Sequence, residues 1–407
     1  MSCEVLCCEV GTMIDLLVEA KDGALMDQLF SVVTASTPAT HRLAGYFEKV
    51  LNVIFRRKSV SVMQYIDKKA MPLFRDFCRQ LHNYSIMQSL RTLLLPAVQL
   101  HREDPAIGFF VDEACESTSA SALECTWHTD PSVLDMLIEQ LLNASDGDVR
   151  AHTSELLISI IDLSGADSLY HRSMTSAATI GRLYEAALPA NDAELPKSKD
   201  DGGSDAVITA ALSVLEVVVV QFCDEHRLMA QTLAAVVAEE TGEAAKGEDE
   251  EGIGDGGAGS TLAELPAETI TVLCATVPRI CAYLHRHEDS ESTVASQLGK
   301  AIPRLGHNRL KVVNLLEALL RLQHRDVDKV VVENGALDLV LDLFFKHEWN
   351  SMLHQSVMAI CMMILESKED HRAELQRHLV LEARLLQRIM AVFPDDEVSA
   401  HFFYFLL

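Results

Sequence analysis

The 407 residues of this chain would fill two or three domains at roughly 150 residues each, or one continuous body if the chain is built from repeats. Hydrophobic residues make up 49% and charged residues 23%, ample material for a core and enough to exclude wholesale disorder. Lys and Arg number 34 against 60 Asp and Glu, a net charge of −26, which argues against nucleic acid as the main ligand because phosphate contacts come from clustered cations.

Residues 1–9 carry two acids, Glu4 and Glu9, and no basic stretch, so they do not read as a secretory signal. The ten cysteines are scattered through apolar stretches without the short regular spacing of a disulfide scaffold, which favours a reducing compartment. Against the acidic background, Lys49, Arg56, Arg57 and Lys58 form a basic cluster beside Tyr46 and Phe47. Two readings of it stand: a helix C-terminus whose cations complement the dipole, or a contact for an acidic partner surface. Asn83-Tyr84-Ser85 and Asn143-Ala144-Ser145 fit the glycosylation triplet, which a cytosolic chain leaves unused.

Apolar residues recur at helical spacing along nearly the whole chain, and alternating strand patterns are hard to find. Residues 191–205 and 239–260 interrupt the pattern, the second with eight acids, one lysine and seven glycines; such a segment cannot bury enough apolar area to offset its ordering entropy and is expected to be disordered. Residues 206–220 are the most membrane-like stretch, 15 residues with Glu216 inside it, short of the roughly 20 residues that span a bilayer, and read as a buried helix. Gly252-Ile253-Gly254-Asp255-Gly256-Gly257 follows four consecutive acids instead of a strand, so it reads as linker and not as a phosphate cradle. His285-Arg286-His287-Glu288-Asp289 and Cys3 with Cys7-Cys8 offer metal-ligand types without the paired spacing of a zinc site. No nucleophile elbow, Walker loop or kinase motif set is present, so no catalytic residue, cofactor or metal is assigned.

From Leu310 to Leu322 the polar positions Lys311, Asn314, Glu317 and Arg321 make a narrow stripe on an otherwise apolar helix, which must be covered on more than one side. Asp338, Asp342 and Lys346, spaced by four, form the wet edge of the next, opposite Leu337, Val340, Leu341, Phe344 and Phe345. An internal echo aligns residues 134–142 with 337–345, each followed by a polar turn and by a second helix starting near His152 and His354. Helix, turn, helix in units of about 30 to 45 residues is the signature of HEAT or armadillo-like stacks; a generic helical bundle is the alternative. The expected fold is therefore all-α, a HEAT/armadillo-like helical-repeat solenoid with a disordered acidic Gly-rich loop. Its divisions are 1–190, N-terminal helical repeats; 191–205, polar linker; 206–238, helices of the same solenoid; 239–260, the acidic loop; 261–394, C-terminal repeats; and 395–407, a tail.

Three blocks, in order, carry a family resemblance. Gly45-Tyr46-Phe47-Glu48-Lys49-Val50-Leu51-Asn52-Val53-Ile54 with Arg57-Lys58, then Tyr84-Ser85-Ile86-Met87 with Leu93-Leu94, form the first. Trp127 with residues 133–142 forms the second. Leu305-Gly306-His307-Asn308-Arg309-Leu310-Lys311-Val312-Val313, running through Gly335 to Leu343-Phe344-Phe345-Lys346-His347-Glu348-Trp349-Asn350 and Leu353-His354, forms the third. Together they closely resemble the SAPS-domain family, regulatory subunits of protein phosphatase 6 and its yeast counterpart. That family has a further helical segment before Ser2 and a glycine- and tyrosine-containing helix after the position of Leu407, so the chain is expected to be a truncated or shortened relative.

The resemblance implies a non-catalytic scaffold, in the cytoplasm and also the nucleus. It would bind a phosphatase 6-type catalytic subunit, together with further scaffold proteins, and select its substrates or location. Catalytic residues and metals would belong to the partner; neither nucleic acid nor membrane is expected as a ligand. Candidate contact residues are Tyr46, Phe47, Lys49, Arg57, Lys58, Asn308, Arg309, Trp349, Asn350 and His354. Trp349 is either an interface anchor or a plug between two helices with Asn350 capping the second, and Arg309 carries the same ambiguity. An armadillo-like adaptor in transport or cytoskeletal assembly is the alternative function.

Overall fold

A computed structural model describes residues 2–19, 23–99, 130–163, 169–188, 206–224, 267–286, 293–295 and 301–392. The polar segments 191–205 and 239–260, Trp127 and the tail 395–407 lie outside the described residues. Within the described residues the architecture is all-α, as the periodicity predicts, and the chain divides into two compact units. One comprises Met1–Thr179 with Ala193–Val217, the other Ile180–Asp192 with Val218–Leu407.

The first unit begins with α1 (Ser2–Leu6), α2 (Gly11–Glu19) and α3 (Ala24–Thr34), all packed on the long α4 (His41–Arg79). Thr40 starts α4 by accepting the Leu43 N–H at 3.4 Å, the role short hydroxyl side chains serve at N-caps. The helix breaks at Lys58 (φ −139°, ψ 47°) and again at Ala70 (φ 37°, ψ −128°). Pro72 accounts for the second break, since its ring has no N–H to donate and clashes with the preceding turn. After α5 (Tyr84–Gln99), α6 (Ser132–Asn143) and α7 (Gly147–Leu163) pack as a pair, followed by α8 (Leu169–Met174). The core of this unit holds Phe30, Phe47 and Phe77, with ring centroids 5.5 Å apart for Phe30–Phe47 and 6.4 Å for both other pairs. Gln80, buried at the end of α4, closes it by donating to the Val33 carbonyl at 2.6 Å and accepting the Ala39 N–H at 2.9 Å.

Helix α9 (Ala177–Ala187) and α10 (Ala206–Asp224) follow. The sequence predicts α10 over 206–220; the structure continues it to Asp224. Both α10 and α11 (Ala267–Arg286) are long and apolar enough to cross a membrane by length and composition, and 56% and 50% of their most apolar windows are buried within the protein.

In the second unit α11 packs against α12 (His307–Arg321), α13 (Arg325–Glu333) and α14 (Ala336–Lys346), while α15 (Ser351–Leu365) lies on α12 and α14. Val312, Val313, Leu315, Leu316, Leu319 and Leu320 of α12 are all fully buried, each worth roughly 1.5–3 kcal/mol relative to exposure. Gly335, at φ 62°, supplies the left-handed residue with which the chain reverses between α13 and α14. The wet edge predicted for α14 is partly covered, because Arg388 of α17 (Leu385–Val392) pairs with Asp342 and reaches Asp338 at 3.9 Å. Between α15 and α17 lie a 3-10 turn (Asp370–Arg372), a short α16 (Ala373–Arg377) and a π-helical segment (His378–Glu382).

The predicted echo is present as two helix pairs, α6–α7 and α14–α15. Their second members start at Gly147 and Ser351, so His152 and His354 sit within the first two turns instead of at the helix starts. The sequence analysis missed one element, an antiparallel pair in which β1 (Thr293–Ala295) aligns with β2 (Ala301–Pro303), Val294 opposite Ile302. At three residues each, these strands are too short to show an alternating pattern.

Candidate functional site

The structure separates the ten candidate contact residues into core and surface. On α4, Phe47 is 2% exposed and belongs to the core, so it offers a partner nothing. Its neighbours Tyr46 and Lys49 are exposed, with Leu43 one turn earlier on the same side. The cations beyond them are engaged internally: Arg56 donates to Glu9 Oε1 at 2.7 Å and Arg57 to Glu9 Oε2 at 3.2 Å. Lys58 Nζ lies 2.8 Å from Asp15 and 3.4 Å from Glu19, and the Asp15 bond foremost holds its ammonium pKa above the ordinary lysine value. These acids stand in α2 and in the turn before it, so the basic cluster fastens α2 to α4 at the Lys58 break.

The second group lies where β2, the start of α12 and the α14–α15 turn meet. Arg309 is buried and folds back on its own turn, Nη2 donating to the Arg304 carbonyl at 2.7 Å and Nε to the Leu305 carbonyl. It shapes the α12 start and is not a contact residue. Asn308, beside it, is half-buried. His354 is also interior, its Nε2 3.2 Å from the Phe344 carbonyl and its ring 4.5 Å from that of Phe344. Asn350 caps α15, its side-chain oxygen accepting the Leu353 N–H at 3.1 Å.

Trp349 does not plug the turn. It is 65% exposed and flanks an open groove of about 420 Å³ whose other walls include Ile302, Pro303, Arg304, Gly306, His307, Leu310, His347 and Ser351. An indole held in the open next to a concave surface is the kind of anchor that dominates binding energy.

Comparison with known proteins bears on the same region. Residues 326–399 match the SAPS family model, described as SIT4 phosphatase-associated protein. The resemblance read from the sequence holds. Over 98% of its length the chain is 23% identical to chicken serine/threonine-protein phosphatase 6 regulatory subunit 3, covering 42% of that protein. It is 23% identical to human regulatory subunit 2 over 92% of this chain and 34% of that one, and 22% identical to human regulatory subunit 1 over 98% and 42%. The chain thus spans less than half the length of these relatives.

The SAPS match covers α13 to α17, and with them Trp349 and the α14–α15 turn. Several lining residues of the groove escaped the sequence reading, Arg304 and His347 among them. Arg304 precedes the third block and looks like an isolated surface cation. His347 stands within that block but carries no motif of its own; only the fold brings its Nδ1 within 3.2 Å of the Pro303 carbonyl, 44 positions away. Among the described residues no three His, Cys, Asp or Glu side chains come together as metal ligands. Cys3 and Cys7 approach to 3.9 Å, while burial pushes the Cys78 and Cys223 thiols up to about 12 and that of Cys281 to about 11, which leaves them protonated and inert near neutral pH.

Proposed function

We propose that this chain is a non-catalytic regulatory scaffold that binds the catalytic subunit of a phosphatase 6-type serine/threonine phosphatase and directs its substrate choice or location. The observation that carries this reading is the similarity to proteins named phosphatase 6 regulatory subunits, which extends over 92 to 98% of this chain. The architecture supports it. Paired, mutually buried helices give a surface that costs little ordering entropy on binding, which favours large pre-organised interfaces. The cations of the basic cluster are mostly paired within the first unit, which leaves Tyr46 and Lys49 on α4, and in the second unit Trp349 with Asn350, as the candidates for partner contact. Further scaffold proteins join the assembly, in the cytoplasm and the nucleus, with neither nucleic acid nor membrane as ligand.

The test is capture from a cell extract with the tagged full chain, followed by mass spectrometry and a phosphatase assay on the beads. Recovery of an active phosphatase 6-type catalytic subunit is expected; its absence from a chain shown to be folded would overturn the reading. Trp349→Ala sharpens the result. Because the indole is exposed, its removal should leave stability within about 0.5 kcal/mol while weakening capture, and a variant that captures as well as the parent would exclude Trp349 from the interface.

A further inference from the structure

The groove beside Trp349 departs in charge from the rest of the molecule. Sixty acids outnumber 34 Lys and Arg in the chain, yet no Asp or Glu lines this groove, whose ionisable members are Arg304, His307 and His347. Glu348 is exposed beside Trp349 but outside the lining. Arg304 and His307 are exposed, and neither forms an ion pair with another described residue. Helices α12 and α15, 15 residues each, both start at residues that line the groove, so two positive dipole ends coincide there. Gly306 gives α12 no side-chain cap, which leaves first-turn amides in need of an acceptor.

A buried histidine stands behind the groove wall. His347 is 3% exposed, and its Nδ1 meets a carbonyl, that of Pro303, so Nδ1 carries the proton and Nε2 is the acceptor of the neutral ring. That Nε2 has no partner among the described residues. Trp349, Leu310 and Ile302 supply the apolar part of the wall.

Size selects the kind of occupant. About 420 Å³ accommodates a few side chains, whereas docking a folded face takes on the order of 800 Å² from each partner. We propose that this groove is a docking site for a short extended acidic peptide of a partner protein, its carboxylates held by Arg304 and the helix N-termini and a neighbouring aliphatic side chain lying on Trp349. The peptide site goes beyond the phosphatase reading and is tested without any phosphatase, so either can fail alone.

The probe is a dye-labelled peptide of alternating glutamate and leucine, titrated with the full chain by fluorescence anisotropy at low salt. Saturable binding is expected, with about tenfold weaker binding of the glutamine–leucine counterpart, of Arg304→Glu and of Trp349→Ala, and recovery in Trp349→Phe. Melting curves should coincide for all variants; where charge reversal shifts them, Arg304→Gln takes its place. Added salt should weaken the glutamate peptide and spare the glutamine one. Absence of binding, equal affinity for the two peptides, or unchanged affinity in the Arg304 and Trp349 variants would each overturn the proposal.

Discussion

Arg372 shows how much one residue can decide. It is 0% exposed, and its guanidinium meets both oxygens of Asp328, Nε to Oδ2 at 2.9 Å and Nη2 to Oδ1 at 3.1 Å. It also donates to the Leu320 carbonyl at 2.5 Å and the Met363 carbonyl at 3.4 Å, tying α12, α13 and α15 together. Breaking such a pair leaves an uncompensated buried carboxylate, so Arg372→Ala should lose about 3–5 kcal/mol, read from the urea midpoint; a loss under about 1 kcal/mol would mean that the site relaxes and lets water in. His347 and His354 act in the opposite sense, because burial, above all, lowers both imidazole pKa values. A histidine pKa lower in the fold than in the unfolded chain means that the unfolded chain binds more protons as pH falls. Their stabilisation is therefore complete above the unfolded value of about 6.5 and is lost as pH drops through the folded values. Melting temperature should fall between about pH 7 and pH 5, and less steeply in His354→Phe; parallel slopes would assign the effect to other groups.

Among the described elements, α4 carries backbone strain in its interior. Ala70 holds φ 37°, a region favourable to glycine and costly, by roughly 1–3 kcal/mol, to a residue with a Cβ. Glycine costs about 0.5–1 kcal/mol of extra chain entropy on folding, so Ala70→Gly should be net stabilising by up to about 2.5 kcal/mol in urea unfolding. A destabilised variant would show that the Ala70 methyl is needed for packing. The pairing of Arg56, Arg57 and Lys58 with Glu9, Asp15 and Glu19 belongs to the same element. These bonds are solvent-facing and individually weak, each worth about 1 kcal/mol or less, but they occupy the cations that a linear reading leaves free for a partner.

For the whole molecule, a net charge of −26 opposes compactness through self-repulsion. Raising salt from about 0.05 to 0.5 M shortens the Debye length several-fold and should raise the melting temperature. A flat or falling response would indicate that local ion pairs, which salt also weakens, outweigh the global field.

What the sequence determined by itself was periodic: apolar spacing established the helical architecture of the described residues, the paired helices α6–α7 and α14–α15, and the multi-sided burial of α12. The three blocks led to the SAPS resemblance. Such features are legible because helical geometry places residues three and four apart on one face whatever the rest of the chain does. The tertiary structure alone decided which side of the surface each candidate occupies. Phe47 and Trp349 are both aromatic residues in family-like blocks, and one is core while the other stands open, because burial depends on which elements arrive from far along the chain. The same holds for His347 against Pro303, Arg372 against Asp328 and Arg57 against Glu9, pairs 44 to 48 positions apart. No local pattern encodes these meetings, since side-chain chemistry at one position does not specify the distant backbone packed against it.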